Sequence, residues 1–254
     1  MNKNLDLLSS GLASSLRLWR GTWGDRPSRT GEQLLVLYDR EDGAECRLVR
    51  EALTELNLDA LVYPCPSGGR RFAAQRKKLA PAGSDAPVLS DPNSGETRVG
   101  AGNIVSYLFE RYLDAAAPWG LKASALNLLA SRLAAIVRSP LGLSARPSIL
   151  PEKELVLYSF ESSPFSRPVR ERLCELELPY RLINLGKDQW SDMGPSSPRV
   201  LAPRSYKPVA GTKRDVFFKE HGRVQVPYLI DPNHEVRMFE SRAIVDYLER
   251  TYAQ

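Results

Sequence analysis

Residues 157–178 read LYSFESSPFSRPVRERLCELEL, and residues 37–58 read LYDREDGAECRLVREALTELNL. The two stretches are offset by 120 residues and are identical at 11 of 22 positions without a gap. Each begins with a short apolar run typical of a strand and continues with apolar residues at helical spacing. Identity of this density at one fixed offset indicates two copies of a strand–helix unit.

The two copies also match further along the chain, where the offset becomes 140 residues. Residues 86–93 read APVLSDPN, and residues 226–233 read VPYLIDPN, so each copy carries an Asp-Pro-Asn turn. Each copy predicts strand, helix, strand, hairpin and closing helix, an order that favours an α/β chain with a mixed four-stranded sheet. The predicted strands are 34–38, 60–63, 87–91 and 96–99, then 154–158, 180–184, 227–231 and 235–239; the predicted helices are 44–57, 102–113, 164–177 and 241–252.

The same comparison divides the chain into four parts. We predict an N-terminal helix and linker at 1–32, a first domain at 33–115, a second helix and linker at 116–152 and a second domain at 153–254. The lead-in helices, 3–20 and 122–139, have leucines at helical spacing. They could cover the sheets, pack on each other or mediate formation of a homodimer. The second copy holds about twenty extra residues within a basic segment, 186–225, to which we assign no role.

Composition is that of a soluble globular chain, with 43% hydrophobic and 26% charged residues. No apolar run approaches the ~18 residues that span a bilayer, and no signal-peptide pattern is present. Three cysteines in unrelated settings favour a reducing compartment, so we expect a cytoplasmic protein. Four of the five excess positive charges lie in 186–225, and neither an aromatic-interleaved basic patch nor a known nucleic-acid motif accompanies them, so a nucleic-acid partner is not expected. His221 and His234 are isolated, so no metal is expected.

Three motifs resemble one family. FESRAIVDYL at 239–248, after the Val-Pro pair at 226, resembles the glutathione-recognition half of glutathione S-transferase N-terminal domains. SSPFSR at 162–167 lies where that superfamily and the glutaredoxins place a catalytic Ser or Cys. YPCPSGGRRF at 63–72 is similar to a segment of tandem proteins of this type from bacteria and plant plastids. The resemblance implies two tandem thioredoxin-like folds, each preceded by an extra helix.

The resemblance also implies roles for five residues of the second copy. A cis-Pro227 would expose the backbone of Val226 for antiparallel pairing with the cysteinyl residue of glutathione. Ser241, at a helix N-terminus, would bind the γ-glutamyl carboxylate, and Glu240 would accept the ligand's ammonium. Ser163 would donate a hydrogen bond to the glutathione sulfur. Pro227 as a strand start and Ser163 and Ser241 as helix caps remain the structural alternatives.

The first copy departs from these motifs. Asp42-Gly-Ala-Glu-Cys46 stands in place of SSPFS, and Gly100-Ala101 stands in place of Glu-Ser. We therefore expect a degenerate site there. Cys46 and Cys65 are the candidate redox thiols, while Cys174 follows the apolar register of its helix.

These observations lead to one main function and two alternatives. The main prediction is a glutathione-binding, transferase-like protein with a serine-type site, acting on an unidentified electrophile or protein client. The first alternative is a non-catalytic thioredoxin-fold scaffold for protein interaction. The second is a monothiol redox protein that uses Cys46 or Cys65. The sequence does not decide whether the chain is an enzyme.

Overall fold

Eight strands form one continuous sheet in the computed structural model, which describes residues 3–24, 26, 28–80, 84–193 and 206–254. The strands are β1 Leu35–Asp39, β2 Ala60–Pro64, β3 Val88–Asp91, β4 Glu96–Val99, β5 Leu155–Ser159, β6 Tyr180–Asn184, β7 Tyr228–Asp231 and β8 Val236–Phe239. Their order across the sheet is β4-β3-β1-β2-β6-β5-β7-β8. Within each copy the first two strands are parallel and the hairpin is antiparallel, as predicted.

Eight α-helices accompany this sheet in the described part of the chain. They are α1 Lys3–Ser15, α2 Ala44–Glu55, α3 Ala73–Leu79, α4 Ala101–Leu113, α5 Ala125–Ile136, α6 Arg167–Glu175, α7 Lys213–His221 and α8 Ser241–Tyr252. Each repeat therefore runs strand, helix, strand, helix, strand, strand, helix, with one further helix before it. The predicted fold class, two thioredoxin-like units of mixed α/β type, is confirmed.

Two helices were not predicted. α3 and α7 lie between the second and third strand of each repeat, and neither has a long apolar stripe that would reveal it in sequence. α6 begins at Arg167 rather than at 164, because residues 164–166 form a separate turn. The segment 186–225 contains α7, and its residues 194–205 lie outside the described residues.

The repeats join through their second strands. β2 and β6 pair antiparallel, with Leu61 opposite Arg181. These two residues occupy the same position in the two copies, since they are 120 residues apart. The pairing is therefore symmetric, and the molecule has an approximate two-fold axis through this residue pair. Both repeats share one buried apolar core, in which equivalent leucines such as Leu37 and Leu157 have no exposed surface.

Buried charges lie where the two repeats meet. Arg50 of α2 donates to Glu161 (Nε to Oε2, 2.9 Å), and Arg170 of α6 donates to Glu41 (Nη2 to Oε1, 3.0 Å). These two bonds are equivalent under the approximate two-fold axis, and each crosses from one repeat to the other. Burial alone would raise the pKa of Glu161, but the surrounding arginines, Arg170 foremost, hold it well below its usual range.

The lead-in helices pack on each other and on the repeats. α1 contacts α5 and α6, while α5 contacts α2. The predicted contact between the two lead-in helices therefore occurs. Their main further contacts are with α2 and α6 rather than with the strands, so the expectation that they cover the sheets is not borne out.

Candidate functional site

A cavity of about 380 Å³ lies in the second repeat. All five residues that the sequence predicted for a glutathione site line it: Ser163, Val226, Pro227, Glu240 and Ser241. They come from three separate places in the chain, namely the turn before α6, the start of β7 and the N-terminus of α8. The fold thus brings the predicted residues to one surface.

Ser163 is almost completely buried, with 1% of its surface exposed, at the base of this cavity. Its Oγ accepts hydrogen bonds from the backbone N–H of Ser166 (3.2 Å) and from the Ser166 hydroxyl (3.0 Å). The oxygen therefore caps the turn that precedes α6. No acceptor for the Ser163 hydroxyl proton is found among the described residues, so that proton is available to a ligand atom.

The peptide bond between Val226 and Pro227 is cis. Val226 precedes β7, and within the described chain neither its N–H nor its carbonyl has a hydrogen-bond partner. A backbone donor and acceptor without partners beside a cavity can pair with an extended peptide.

Glu240 has an unusual backbone conformation, with φ of 74° and ψ of 112°. The equivalent residue of the first repeat is Gly100, with φ of 81°. A residue with a Cβ pays of order 1–3 kcal/mol to hold such a conformation, and residues of this kind are concentrated at functional sites. The Glu240 carboxylate accepts a hydrogen bond from the Gln225 amide (2.5 Å) at the cavity wall.

The two repeats differ at the N-terminus of their last helix. In the first, the Glu45 carboxylate accepts a hydrogen bond from the backbone N–H of Ala101 (2.9 Å). Ala101 corresponds to Ser241, and Glu45 corresponds to Phe165. The Ser241 N–H has no acceptor in the described part of the second repeat. The N-terminus of α4 in the first repeat is therefore capped by a carboxylate of the chain, whereas the N-terminus of α8 in the second repeat is open.

The cavity also contains residues that sequence comparison missed. Trp19 and Thr22 come from the linker after α1, so the segment that leads into the first repeat forms part of the wall in the second. Phe165 lies in the motif but had been given no role. The remaining wall residues that we had not predicted are Phe160, Pro164, Lys187, Asp192, Met193, Arg214, Val224 and Gln225. Pro164 lies in the same motif as Phe165; no local motif marks the others, because their position depends on long-range packing.

The first repeat presents a different set of groups. A cavity of about 620 Å³ there is lined by Asp42, Gly43 and Cys46 among others. Burial raises the pKa of the Cys46 thiol well above its usual value, and burial raises that of Cys65 to about 12. Both thiols are therefore protonated at neutral pH, which argues against the redox alternative. Cys174 is buried, with its pKa also raised by burial.

The fold and the cavity together define a thioredoxin-like protein with a cavity beside a cis-proline. The family model "Glutathione S-transferase, N-terminal domain" matches residues 37–116 and again residues 157–254. The chain belongs to this family. Neither the curated proteins nor the solved structures yield a significant match.

The described residues contain neither a helix that could cross a membrane nor a cluster of metal ligands. No helix there has the length and apolar character needed to cross a membrane. No group of three or more His, Cys, Asp or Glu side chains there is arranged to hold a metal ion.

Proposed function

We propose that the second repeat binds reduced glutathione in the cavity around Ser163 and activates its thiol for transfer to an electrophile. Membership of the glutathione S-transferase N-terminal family supports glutathione as the ligand. The three cysteines are all unpaired, which fits the reducing cytoplasm where glutathione is abundant.

The observation that carries this proposal is the open N-terminus of α8. The first repeat demonstrates that a carboxylate fits this position in the fold, since Glu45 occupies it at 2.9 Å from the Ala101 nitrogen. In the second repeat the γ-glutamyl carboxylate of glutathione would take that place against Ser241. The ligand's ammonium would face the Glu240 carboxylate, and its cysteinyl backbone would pair with Val226.

This placement puts the ligand sulfur near the Ser163 hydroxyl. A hydrogen bond from that hydroxyl stabilises the thiolate over the thiol and so lowers the pKa of the ligand sulfur. The thiol proton passes to solvent. The thiolate then forms a carbon–sulfur bond with an electrophile. Either a leaving group departs with its bonding electrons, or the π electrons of an activated double bond shift to the adjacent atoms, which take up a proton from solvent. The first repeat, with Gly43 at this position, acts as a structural partner.

Isothermal calorimetry with reduced glutathione tests the binding. Phe165→Glu reproduces in the second repeat the carboxylate that caps the first, so we expect the introduced group to occupy the Ser241 N–H. Binding should weaken by at least about 10-fold. Phe165→Gln is the matched control, because it has the same length without the charge, and it should bind within about 3-fold of wild type.

The alternatives give different results in the same experiment. A folded wild-type chain that releases no heat with glutathione contradicts the proposal and favours the scaffold function, in which Ser163 only caps the turn before α6. Equal affinity of the Glu and Gln variants would exclude the α8 N-terminus as the carboxylate site. Modification of Cys46 or Cys65 by glutathione disulfide in the native protein would favour the redox function.

A further inference from the structure

α1 and α5 are amphipathic in the inverse sense to an ordinary surface helix. Their buried positions carry small or polar residues, including Ser10, Ala13, Ser131 and Ala134, each with no exposed surface. Leu7 and Leu128 are half-buried, while seven other large aliphatic residues have 45% to 69% of their surface exposed: Leu5, Leu8, Leu12, Leu126, Leu129, Leu133 and Ile136. We call these seven side chains the leucine face.

The buried faces of α1 and α5 are polar because they pack on polar and charged groups of the repeats. Arg167 of α6 donates to the hydroxyls of Ser10 (3.2 Å) and Ser14 (2.9 Å). On α5 the Ser131 hydroxyl donates to the carbonyl of Ala44 at the start of α2 (2.9 Å). These helices cover charged and polar groups of the repeats, so their hydroxyl faces must point inward. Solubility alone would favour polar residues on the solvent-exposed side of these helices, where the leucines lie.

The leucine face is large enough to be an interface. Seven half-exposed aliphatic side chains present on the order of 700 Å² of apolar surface, close to the roughly 800 Å² that each partner buries in a standard-size complex. A monomer seldom exposes a contiguous apolar patch of this size without a binding role.

The leucine face also has the symmetry of the molecule. Leu5, Leu8 and Leu12 correspond to Leu126, Leu129 and Leu133 at a constant offset of 121 residues, and α1 contacts α5. The approximate two-fold axis that relates the repeats therefore relates the two halves of this face. A second, perpendicular two-fold rotation would place the leucine face of one copy on that of another, which is an isologous contact. That rotation would form a layer of four helices with every leucine inside.

The charges on these helices favour a protein partner over a lipid surface. The sequences of α1 and α5 contain three charged residues, the basic Lys3 and Arg132 and the acidic Asp6. A helix that lies on an anionic membrane carries several basic residues along its polar face. Asp6 is moreover paired with Arg138 (2.7 Å).

The geometry points to a homodimer of this chain in which the leucine face of one copy packs against the leucine face of the other. The interface is independent of glutathione, since the residues of the leucine face do not line the cavity around Ser163.

Sedimentation equilibrium of the full chain tests this directly. Wild type should sediment at twice the mass of the chain. The double variant Leu8→Glu, Leu129→Glu would bury four carboxylates in the dimer, so its dissociation constant should rise at least about 100-fold. Ile149→Glu with Leu150→Glu is the matched control, because both residues are 50% exposed outside the leucine face. This control should remain dimeric.

Three outcomes would overturn the inference. The first is a wild type that stays monomeric up to about 100 µM, well above the dissociation constant of a standard-size interface. The second is a Leu8 and Leu129 variant that stays dimeric while its circular dichroism is native; if it does not fold, Leu8→Ala with Leu129→Ala replaces it and must weaken the dimer. The third is a monomeric wild type that sediments with phosphatidylcholine–phosphatidylglycerol vesicles and loses this binding in the double variant, which would assign the face to a membrane surface.

Discussion

At the scale of single residues, the second repeat differs from the first where chemistry is expected. Ser163 replaces Gly43, Glu240 replaces Gly100 in the same positive-φ conformation, and Ser241 replaces Ala101. The Ser163 oxygen caps a turn while its proton stays available. A residue can therefore serve the fold and a ligand together, and the two roles can be separated by measurement.

Ser163→Ala should act on both roles. Loss of the cap should lower the free energy of unfolding by about 1 kcal/mol. In the glutathione complex the pKa of the ligand thiol should rise by about one unit or more, since a hydrogen bond to the thiolate is lost. The thiolate's ultraviolet absorbance, titrated against pH, measures this shift.

Ser166→Ala is the control for this prediction, because it removes the neighbouring hydroxyl and leaves that of Ser163. It should leave the pKa of the bound thiol close to the wild-type value. An unchanged thiol pKa and unchanged turnover in Ser163→Ala would restrict Ser163 to its structural role.

At the scale of elements, an aspartate in the hairpin of each repeat accepts hydrogen bonds from tyrosines of the last helix. Asp231 Oδ2 accepts hydrogen bonds from the hydroxyls of Tyr247 and Tyr252, each at 2.6 Å. Asp91 has the same arrangement in the first repeat. Burial alone would raise the pKa of Asp231, but the donated hydrogen bonds hold it below its ordinary value of 3.8.

This lowered pKa predicts an acid-sensitive contribution to stability. The contribution is complete above the unfolded value of 3.8 and is lost as the pH falls through the folded pKa. Asp231→Asn should lower the free energy of unfolding at pH 7 by about 1–3 kcal/mol. Between pH 4 and pH 2 the free energy of unfolding should also fall less in this variant than in wild type.

Urea unfolding at a series of pH values measures both effects. Asp246→Asn is the control, since this carboxylate on the same helix is 61% exposed. A variant at Asp231 that keeps the full acid-induced loss of the wild type would show that other carboxylates are responsible.

At the scale of the whole molecule, the two repeats are one structural unit. They share a sheet through β2 and β6, one apolar core and a set of buried ion pairs. Glu161 lies at the centre of these pairs, bonded to Arg50 of the first repeat and to Arg170 of its own at 3.0 Å. We therefore expect both repeats to unfold in one transition.

Glu161→Gln tests this coupling. The substitution leaves buried arginines without their counter-charge, so the free energy of unfolding should fall by about 3–5 kcal/mol. Unfolding followed by calorimetry should still give a single transition at a lower temperature. Glu152→Gln, at an exposed position, should leave the transition unchanged. Two separated transitions in either variant would show that the repeats are independent.

Much of each repeat was predictable because it is local. Strand and helix periodicity, the Asp-Pro-Asn turns and the Ser163 and Glu240–Ser241 motifs each depend on residues a few positions apart, and their boundaries were correct to within a few residues. The exceptions α3 and α7 are short helices without a long apolar stripe. Their formation is decided by packing rather than by their own sequence.

The sequence by itself determined that the chain repeats, which fold each copy adopts and which copy carries the motifs around Ser163 and Glu240–Ser241. Only the tertiary structure decided that β2 pairs with β6, that Glu45 caps the first repeat, that Trp19 forms part of the second repeat's cavity, and that α1 and α5 turn their leucines outward. The reason is physical. The first set depends on neighbours along the chain, whereas the second depends on which distant surfaces meet, and burial of charge and apolar area selects those surfaces only in the complete fold.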